Sequence, residues 1–209
     1  MRSRTPRRAT LIAMLGALLL PLPCRAEEAL ASPLVNAFHE KLLGVMKAAE
    51  SLGYDGRYQR LAPVLGRTFD TQFMAQKSVG RHWNDLEPDQ KQLLLDTFER
   101  FMVANYAGRF DGWSGQSFET LGEEPSAQGT RIVHTRLVDP NGEDVELNYR
   151  VRSVADGWRI IDVYLNGTVS ELALRRSENS SLVSREGFDA LIAALDRRIG
   201  ELARGEVED

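Results

Sequence analysis

The chain of 209 residues carries 26 basic and 30 acidic side chains, a formal net charge of −4, and a single cysteine. A negative balance argues against nucleic acid as a partner, and one cysteine excludes a disulfide framework or a cysteine-built metal site. The length suits one domain with a sizeable core once an N-terminal leader is set aside.

That leader is the first element. Arg2, Arg4, Arg7 and Arg8 precede an apolar run from Ala9 to Leu20, followed by Pro21-Leu22-Pro23 and Cys24-Arg25-Ala26. A basic start, a short apolar stretch and a small-x-small site predict a secretory signal peptide over residues 1–26, cut after Ala26. The run is too short for a comfortable bilayer span, which takes roughly 20 apolar residues. Residues 27–209 then form a single domain without cysteine, bearing 21 basic and 30 acidic residues, a net of −9. No later stretch reaches membrane-spanning length. An exported, periplasmic domain that is not integral to the membrane is expected.

The spacing of Leu34, Val35, Phe38, Leu42, Val45, Met46 and Ala49 predicts a helix from Ser32 to Leu52, stopped by Gly53. Short helices punctuated by Pro63, Gly66 and Asp70 are expected between Gly56 and Gly80. A long helix opens at Pro88 and runs to about Phe110, with Leu94, Phe98, Phe101, Met102 and Tyr106 on its apolar stripe. After Gly112 the period becomes two. Phe118 and Leu121 belong to a first strand, and Arg131 to Val138 form a second. Asp139-Pro140-Asn141-Gly142 predicts a tight hairpin turn with positive φ at its centre.

In the third strand Val145, Leu147, Tyr149 and Val151 alternate with Glu146, Asn148, Arg150 and Arg152. Asp156-Gly157 turns the chain into a fourth strand, Trp158 to Asn166, which reads apolar on both faces: Trp158, Ile160 and Tyr164 against Ile161, Val163 and Leu165. The rest is helical, with a stripe of Phe188, Leu191, Ile192, Leu195 and Ile199 and a short acidic tail from Gly205 to Asp209. The fold class expected is α+β: a curved antiparallel sheet of about four strands, with helices from both chain ends packed on it.

A catalytic or metal constellation is not legible. His39, His82 and His134 lie apart, without metal-ligand spacing. Asp139 to Asp144 is acidic but reads as a turn and not a calcium loop, and the glycines from Gly108 to Gly115 join a helix to a strand. Asp162, set among apolar neighbours, is the most conspicuous acid. It reads as a structural carboxylate paired with Arg150 or Arg152; a general base is the alternative. Apolar side chains that line a pocket and those that fill a core are the same residue types, so composition does not separate the two.

Larger segments carry more. Val79-Gly80-Arg81-His82-Trp83, Leu86-Glu87-Pro88-Asp89-Gln90, then Phe98, Phe101 and Tyr106 resemble the MlaC family of periplasmic phospholipid carriers, also called the toluene-tolerance family. The likeness continues through Tyr149-Arg150-Val151-Arg152, through Asp156 to Val163 and through Gly187 to Ile192, in order over nearly the whole domain. Glu87 stands where the family has serine, a poorer helix cap. Glu171 to Glu178 departs from the carriers' Tyr-Arg-x-Gln-Phe pattern and, with Phe110-Asp111-Gly112-Trp113, is similar to the hopanoid-associated HpnM branch.

The resemblance implies a curved sheet and helices around a deep apolar cavity, somewhat like nuclear-transport-factor-2 and cystatin-like domains. It implies a lipid carrier, not an enzyme, with no cofactor and no metal. Its cargo is hopanoid or phospholipid, and its partners are membrane-bound lipid-transport proteins, as for an auxiliary component of an ABC transporter. Phe98, Phe101, Met102, Val133, Leu147, Tyr149, Val151, Ile161, Val163 and Tyr164 are the expected lipid-binding residues. Arg175, Arg176 and Arg185 are candidates for docking to protein partners. The competing readings are a cavity enzyme of isomerase or hydratase type built on Asp162 and Tyr149, and an envelope adaptor with a solid core.

Overall fold

A computed structural model describes residues 30–206. The expected signal peptide and the last three residues of the acidic tail lie outside that range. Six α-helices and five strands follow in the order α1 (Ser32–Lys47), α2 (Ala49–Thr68), α3 (Thr71–Ser78), α4 (Pro88–Arg109), β1 (Ser117–Ser126), β2 (Thr130–Val138), β3 (Val145–Val154), β4 (Gly157–Leu165), β5 (Val169–Ser170), α5 (Glu171–Glu186) and α6 (Phe188–Arg204). The strands pair antiparallel in sequence order, an open meander. The class is α+β, with one strand more than expected: β5 is only two residues long and gives no periodicity to read.

The N-terminal helices depart from expectation in their joints. α1 ends at Lys47, and Gly53, at φ +58°, interrupts α2 where a stop was predicted. A left-handed backbone there suits glycine, which has no Cβ to clash. The chain then runs helically through Pro63 to Thr68, without the expected punctuation. An internal proline costs about 3 kcal/mol, but Leu61 and Leu65 on either side of it are fully buried and hold the helix down. α4 begins at Pro88 as predicted, and Gln90 Oε1 accepts the Glu87 N–H at 3.0 Å, so the unusual residue before the proline sits in a satisfied helix start.

One hairpin joint and one strand also differ. Neither Asn141 nor Gly142 takes positive φ. The connection spans residues 139–144, and the Asp139 carboxylate accepts the Asn141 N–H at 2.9 Å, closing a side-chain turn instead of a two-residue hairpin. In β4 the register shifts between the pairs Arg150↔Asp162 and Val151↔Ile160, which leaves Ile161 as the extra residue of a bulge. A bulge reverses the alternation on one side of it. Trp158 and Ile160 therefore share a face with Val163 and Leu165, and not with Tyr164.

The apolar face of the sheet packs on α1, α2 and α4. Its core holds Phe38, Leu42, Leu61, Leu65, Phe98, Val133, Tyr149, Val151 and Ile160, all at 1% exposure or less. Phe38 touches Phe69, Tyr106 and Tyr149 edge-on, at centroid distances of 5.3, 5.5 and 6.2 Å. A second cluster, with Leu94, Phe101, Leu191 and Leu202, joins α4 to α6. Glu123 of β1 pins α1 onto the sheet: it accepts the N–H groups of Ala31 at 3.0 Å and Ser32 at 2.7 Å and receives Arg131 Nε at 2.6 Å.

Candidate functional site

Between α4 and the apolar face of β2–β4 the core is not filled. A cavity of about 270 Å³ remains, walled by Phe98, Phe101, Met102 and Tyr106 of α4, Leu147 and Tyr149 of β3, and Val163 and Leu165 of β4. Met74 of α3, Leu137 of β2, Phe110, Val145 and Leu172 complete the apolar lining. Polar side chains enter from α4 (Asn105, Arg109) and from the first turn of α5 (Glu171, Arg175).

Burial grades across this lining. Tyr149 and Phe98 are 1% exposed at the floor, whereas Asn105, Arg109, Glu171 and Arg175 reach solvent. The cavity thus has an apolar bottom and a polar rim. Arg175 is tied there: it bonds Glu178 at 3.0 Å, lies 4.0 Å from Glu171, and its guanidinium sits 5.1 Å over the Phe101 ring. The Tyr149 hydroxyl is buried in the wall and is engaged by His39 Nε2 at 3.0 Å. Burial raises the Tyr149 hydroxyl pKa well above its ordinary value and lowers that of His39 to about 4, so both groups are neutral near pH 7.

Of the ten lipid-binding residues expected from sequence, the structure brings six to this wall: Phe98, Phe101, Met102, Leu147, Tyr149 and Val163. Val133 and Val151 are on the same face but are fully buried core. Ile161 and Tyr164 lie on the opposite face of the sheet, in a different cavity. The bulge sends Ile161 outward while Val163 stays inward, and Tyr164, next to Val163, faces away from it by ordinary alternation. Asn105, Arg109, Glu171, Leu172 and Arg175 at the rim were missed, as were Met74, Tyr106, Phe110, Leu137, Val145 and Leu165 of the apolar wall. The first two sit on the α4 turn beyond Met102, a position that helical spacing reveals; the three on α5 follow an element too polar to show its inward face.

Asp162 and Tyr149 also point to opposite faces, so the pair on which an enzymatic cavity would depend is not assembled. Asp162 instead holds the start of α5. Its carboxylate accepts the Leu172 N–H at 3.0 Å, its own neighbour Val163 N–H at 2.8 Å and the Ser170 hydroxyl at 2.6 Å, while Ser170 caps the helix by accepting the Ala173 N–H at 2.9 Å. Burial still raises its pKa above the ordinary carboxylate value, these bonds and Arg150 opposing. The expected Arg152 partner is elsewhere: Arg152 Nε donates to Asp70 at 2.7 Å, and Asp70 also caps α3 by accepting the Phe73 N–H at 2.9 Å. Among the described residues no three His, Cys, Asp or Glu side chains gather as a metal site, and no helix is long and apolar enough to cross a membrane.

A model of the MlaC protein family matches residues 36–197. The chain belongs to the MlaC family. The matched segment runs from α1 into α6 and so contains every wall of the cavity. Among solved structures, the chain is similar to a phospholipid-binding protein from Ralstonia solanacearum, determined in complex with a phospholipid. The TM-score is 0.73 over 84% of this chain and 99% of that one, at 24% identity. At that identity the likeness establishes a shared fold. No curated protein matches the chain.

Proposed function

We propose that this MlaC-family chain is a periplasmic lipid carrier that holds the hydrocarbon part of a lipid in the cavity between α4 and β3–β4 and passes it between membrane-bound transport proteins. The observation that carries the reading is the unfilled apolar space in an otherwise close-packed core. Protein interiors pack like organic crystals, and an apolar void of about 270 Å³ sits near the lower end of the roughly 300–1,000 Å³ usual for ligand pockets. That the Ralstonia solanacearum protein of the same fold binds phospholipid supports it.

The energetics need no charged anchor. Each buried methylene is worth about 0.8 kcal/mol, so about ten of them supply roughly 8 kcal/mol, which corresponds to micromolar affinity before ordering costs. In this reading the tail meets Phe98, Met102, Leu147 and Val163, and the head group stays at Asn105, Arg109 and Arg175. The departure at Glu171 to Glu178, together with Phe110 to Trp113, favours the hopanoid-associated branch. A rigid polycyclic hydrocarbon would use the same apolar wall. No cofactor enters the reading, and its partners are the cargo lipid and membrane transport proteins.

The test is extraction. Protein stripped of lipid and mixed with vesicles containing a phospholipid with a fluorescent acyl chain should draw that lipid into a soluble complex of one lipid per protein. Protein that leaves all the fluorescence with the vesicles, and does the same with a hopanoid in place of the phospholipid, contradicts the carrier reading.

A further inference from the structure

A second cavity, of about 710 Å³, lies on the face of β3 and β4 turned away from the apolar one. It adjoins a third, of about 480 Å³, with which it shares Ala173 and Arg176. Together they form a cleft that follows α5 from Ser170 to Ser184, with α3 and the turn at Gly80–Asp85 as the other bank.

Five cations line this cleft: Lys77, Arg81, Arg150, Arg152 and Arg176. Only one carboxylate, Asp162, stands among them. Arg152 is spent on Asp70. Asp162 is spent on Ser170 and on the backbone of Val163 and Leu172. Among the described residues Lys77, Arg81, Arg150 and Arg176 are in no ion pair. A chain with a net charge of −4 thus concentrates an excess of positive charge in one groove, Arg150 being offset in part by Asp162.

The shape narrows the occupant. The α5 bank is built of small side chains, Ala173, Ser177 and Ser180, that let a backbone come close, and it ends at Ser184, whose hydroxyl is bonded across the groove to His82 Nε2 at 3.0 Å. Ile161 and Tyr164 give the other end apolar footing, beside Phe73, whose ring carries the Arg152 guanidinium at 4.6 Å and Lys77 Nζ at 5.3 Å. From Ser170 to Ser184 the helix rises about 21 Å at 1.5 Å per residue, the length of about six extended residues at roughly 3.4 Å each. A bilayer or a duplex would bring a large anionic surface against an acidic protein and be repelled outside the groove. A short peptide would not.

We propose that this cleft docks an acidic, extended peptide segment of a partner protein, with carboxylates on Arg81 and Arg176 and apolar side chains on Ile161 and Tyr164. The site rests on the carrier reading only for its purpose. Leu172 lines both this cleft and the apolar cavity, so a docked segment would press on the first turn of α5, which also carries Glu171 and Arg175 of the cavity rim.

The experiment uses the full mature protein as purified and a fluorescein-labelled heptapeptide of alternating Glu and Leu, read by fluorescence anisotropy. Phosphatidylglycerol vesicles form a second arm. Two variants are compared, Arg81→Glu with Arg176→Glu, which reverses charge at exposed positions, and Ser177→Trp, which fills the groove without changing charge. Wild type should bind the peptide, more weakly as salt rises, and each variant should bind at least tenfold more weakly with unchanged lipid content. Failure of wild type to bind the peptide, equal affinity in wild type and both variants, or vesicle binding that competes out the peptide overturns the proposal. Lipid extracted from the same samples reads the carrier function separately: lipid-free protein that still binds peptide leaves the cleft standing and removes the carrier.

Discussion

His39 of α1 and Tyr149 of β3 are joined side chain to side chain at 3.0 Å, with His39 at 4% and Tyr149 at 1% exposure. The imidazole stacks on Phe118 at a centroid distance of 4.1 Å and an interplanar angle of 15°. A neutral pair of this kind ties the first helix to the floor of the cavity, and it costs stability once the histidine is forced to take a proton.

The sign follows from the lowered pKa. Burial moves His39 from 6.5 to about 4, so the unfolded chain binds the proton first as pH falls. Stability is full above pH 6.5, declines between 6.5 and about 4, and then levels, a loss of roughly 3 kcal/mol from this group. Chemical denaturation of wild type and His39→Gln at pH 7.5, 5.5 and 4.5 measures it. The variant should lack most of the decline; parallel curves would remove His39 as the cause. Tyr149→Phe should cost about 1–3 kcal/mol at neutral pH by leaving the imidazole unpaired.

Glu123 acts at lower pH. Burial raises its pKa, but the N–H groups of Ser32 and Ala31 and the Arg131 guanidinium outweigh that and hold it below 4.5. Its contribution is present above the ordinary carboxylate range and is lost as pH falls through the folded value. Glu123→Gln should destabilise by about 3 kcal/mol, since Arg131, with its side chain only 14% exposed, is left unpaired. Thermal melts at pH 7 check this, and a loss under 0.5 kcal/mol would make the helix clamp incidental.

Within the cavity the neighbours of Tyr149 divide cleanly. Val163→Phe places extra volume in the void and should reduce lipid occupancy at least fivefold while changing stability by about 1 kcal/mol or less. Val151→Trp overfills a position with no exposure and should cost about 3 kcal/mol or more. Lipid content per folded molecule and denaturation midpoints, measured on both, separate wall from core. Equal loss of occupancy and stability in Val163→Phe would contradict its placement on the wall.

Asp162 discriminates binding from catalysis. Asp162→Asn keeps an acceptor for the Leu172 N–H but removes the charge, and should leave lipid occupancy within twofold of wild type. Asp162→Ala should free the first turn of α5, exposing the amides of Leu172 and Ala173 to faster hydrogen exchange. Unchanged exchange in the alanine variant would mean that Ser170 alone holds the turn.

What the sequence made legible depends on how regular each element is. α4 announces itself through Pro88 and its aromatic stripe, and β3 through strict alternation, so five of the six residues correctly placed on the wall come from these two elements. The bulge at Ile161 is invisible in a strand apolar on both sides, and it misplaced Ile161; Tyr164 was named from the other face of a strand whose inward side the sequence left open, and ordinary alternation turns it away from Val163. Val133 and Val151 sit on the correct face, but a face does not tell where helices fill it and where they leave space. The rim on α5 was missed for a different reason. Its inward contribution is Leu172, one turn of a polar helix whose position is set by Asp162 and Ser170, two side chains with nothing helical in their spacing.

The most direct measurement is organic extraction of freshly purified protein followed by lipid mass spectrometry, with Val163→Phe purified in parallel. The account predicts close to one lipid per wild-type molecule, phospholipid or hopanoid, and a several-fold lower content in the folded variant. Wild-type protein that emerges repeatedly without lipid and takes none from vesicles of either kind would contradict it.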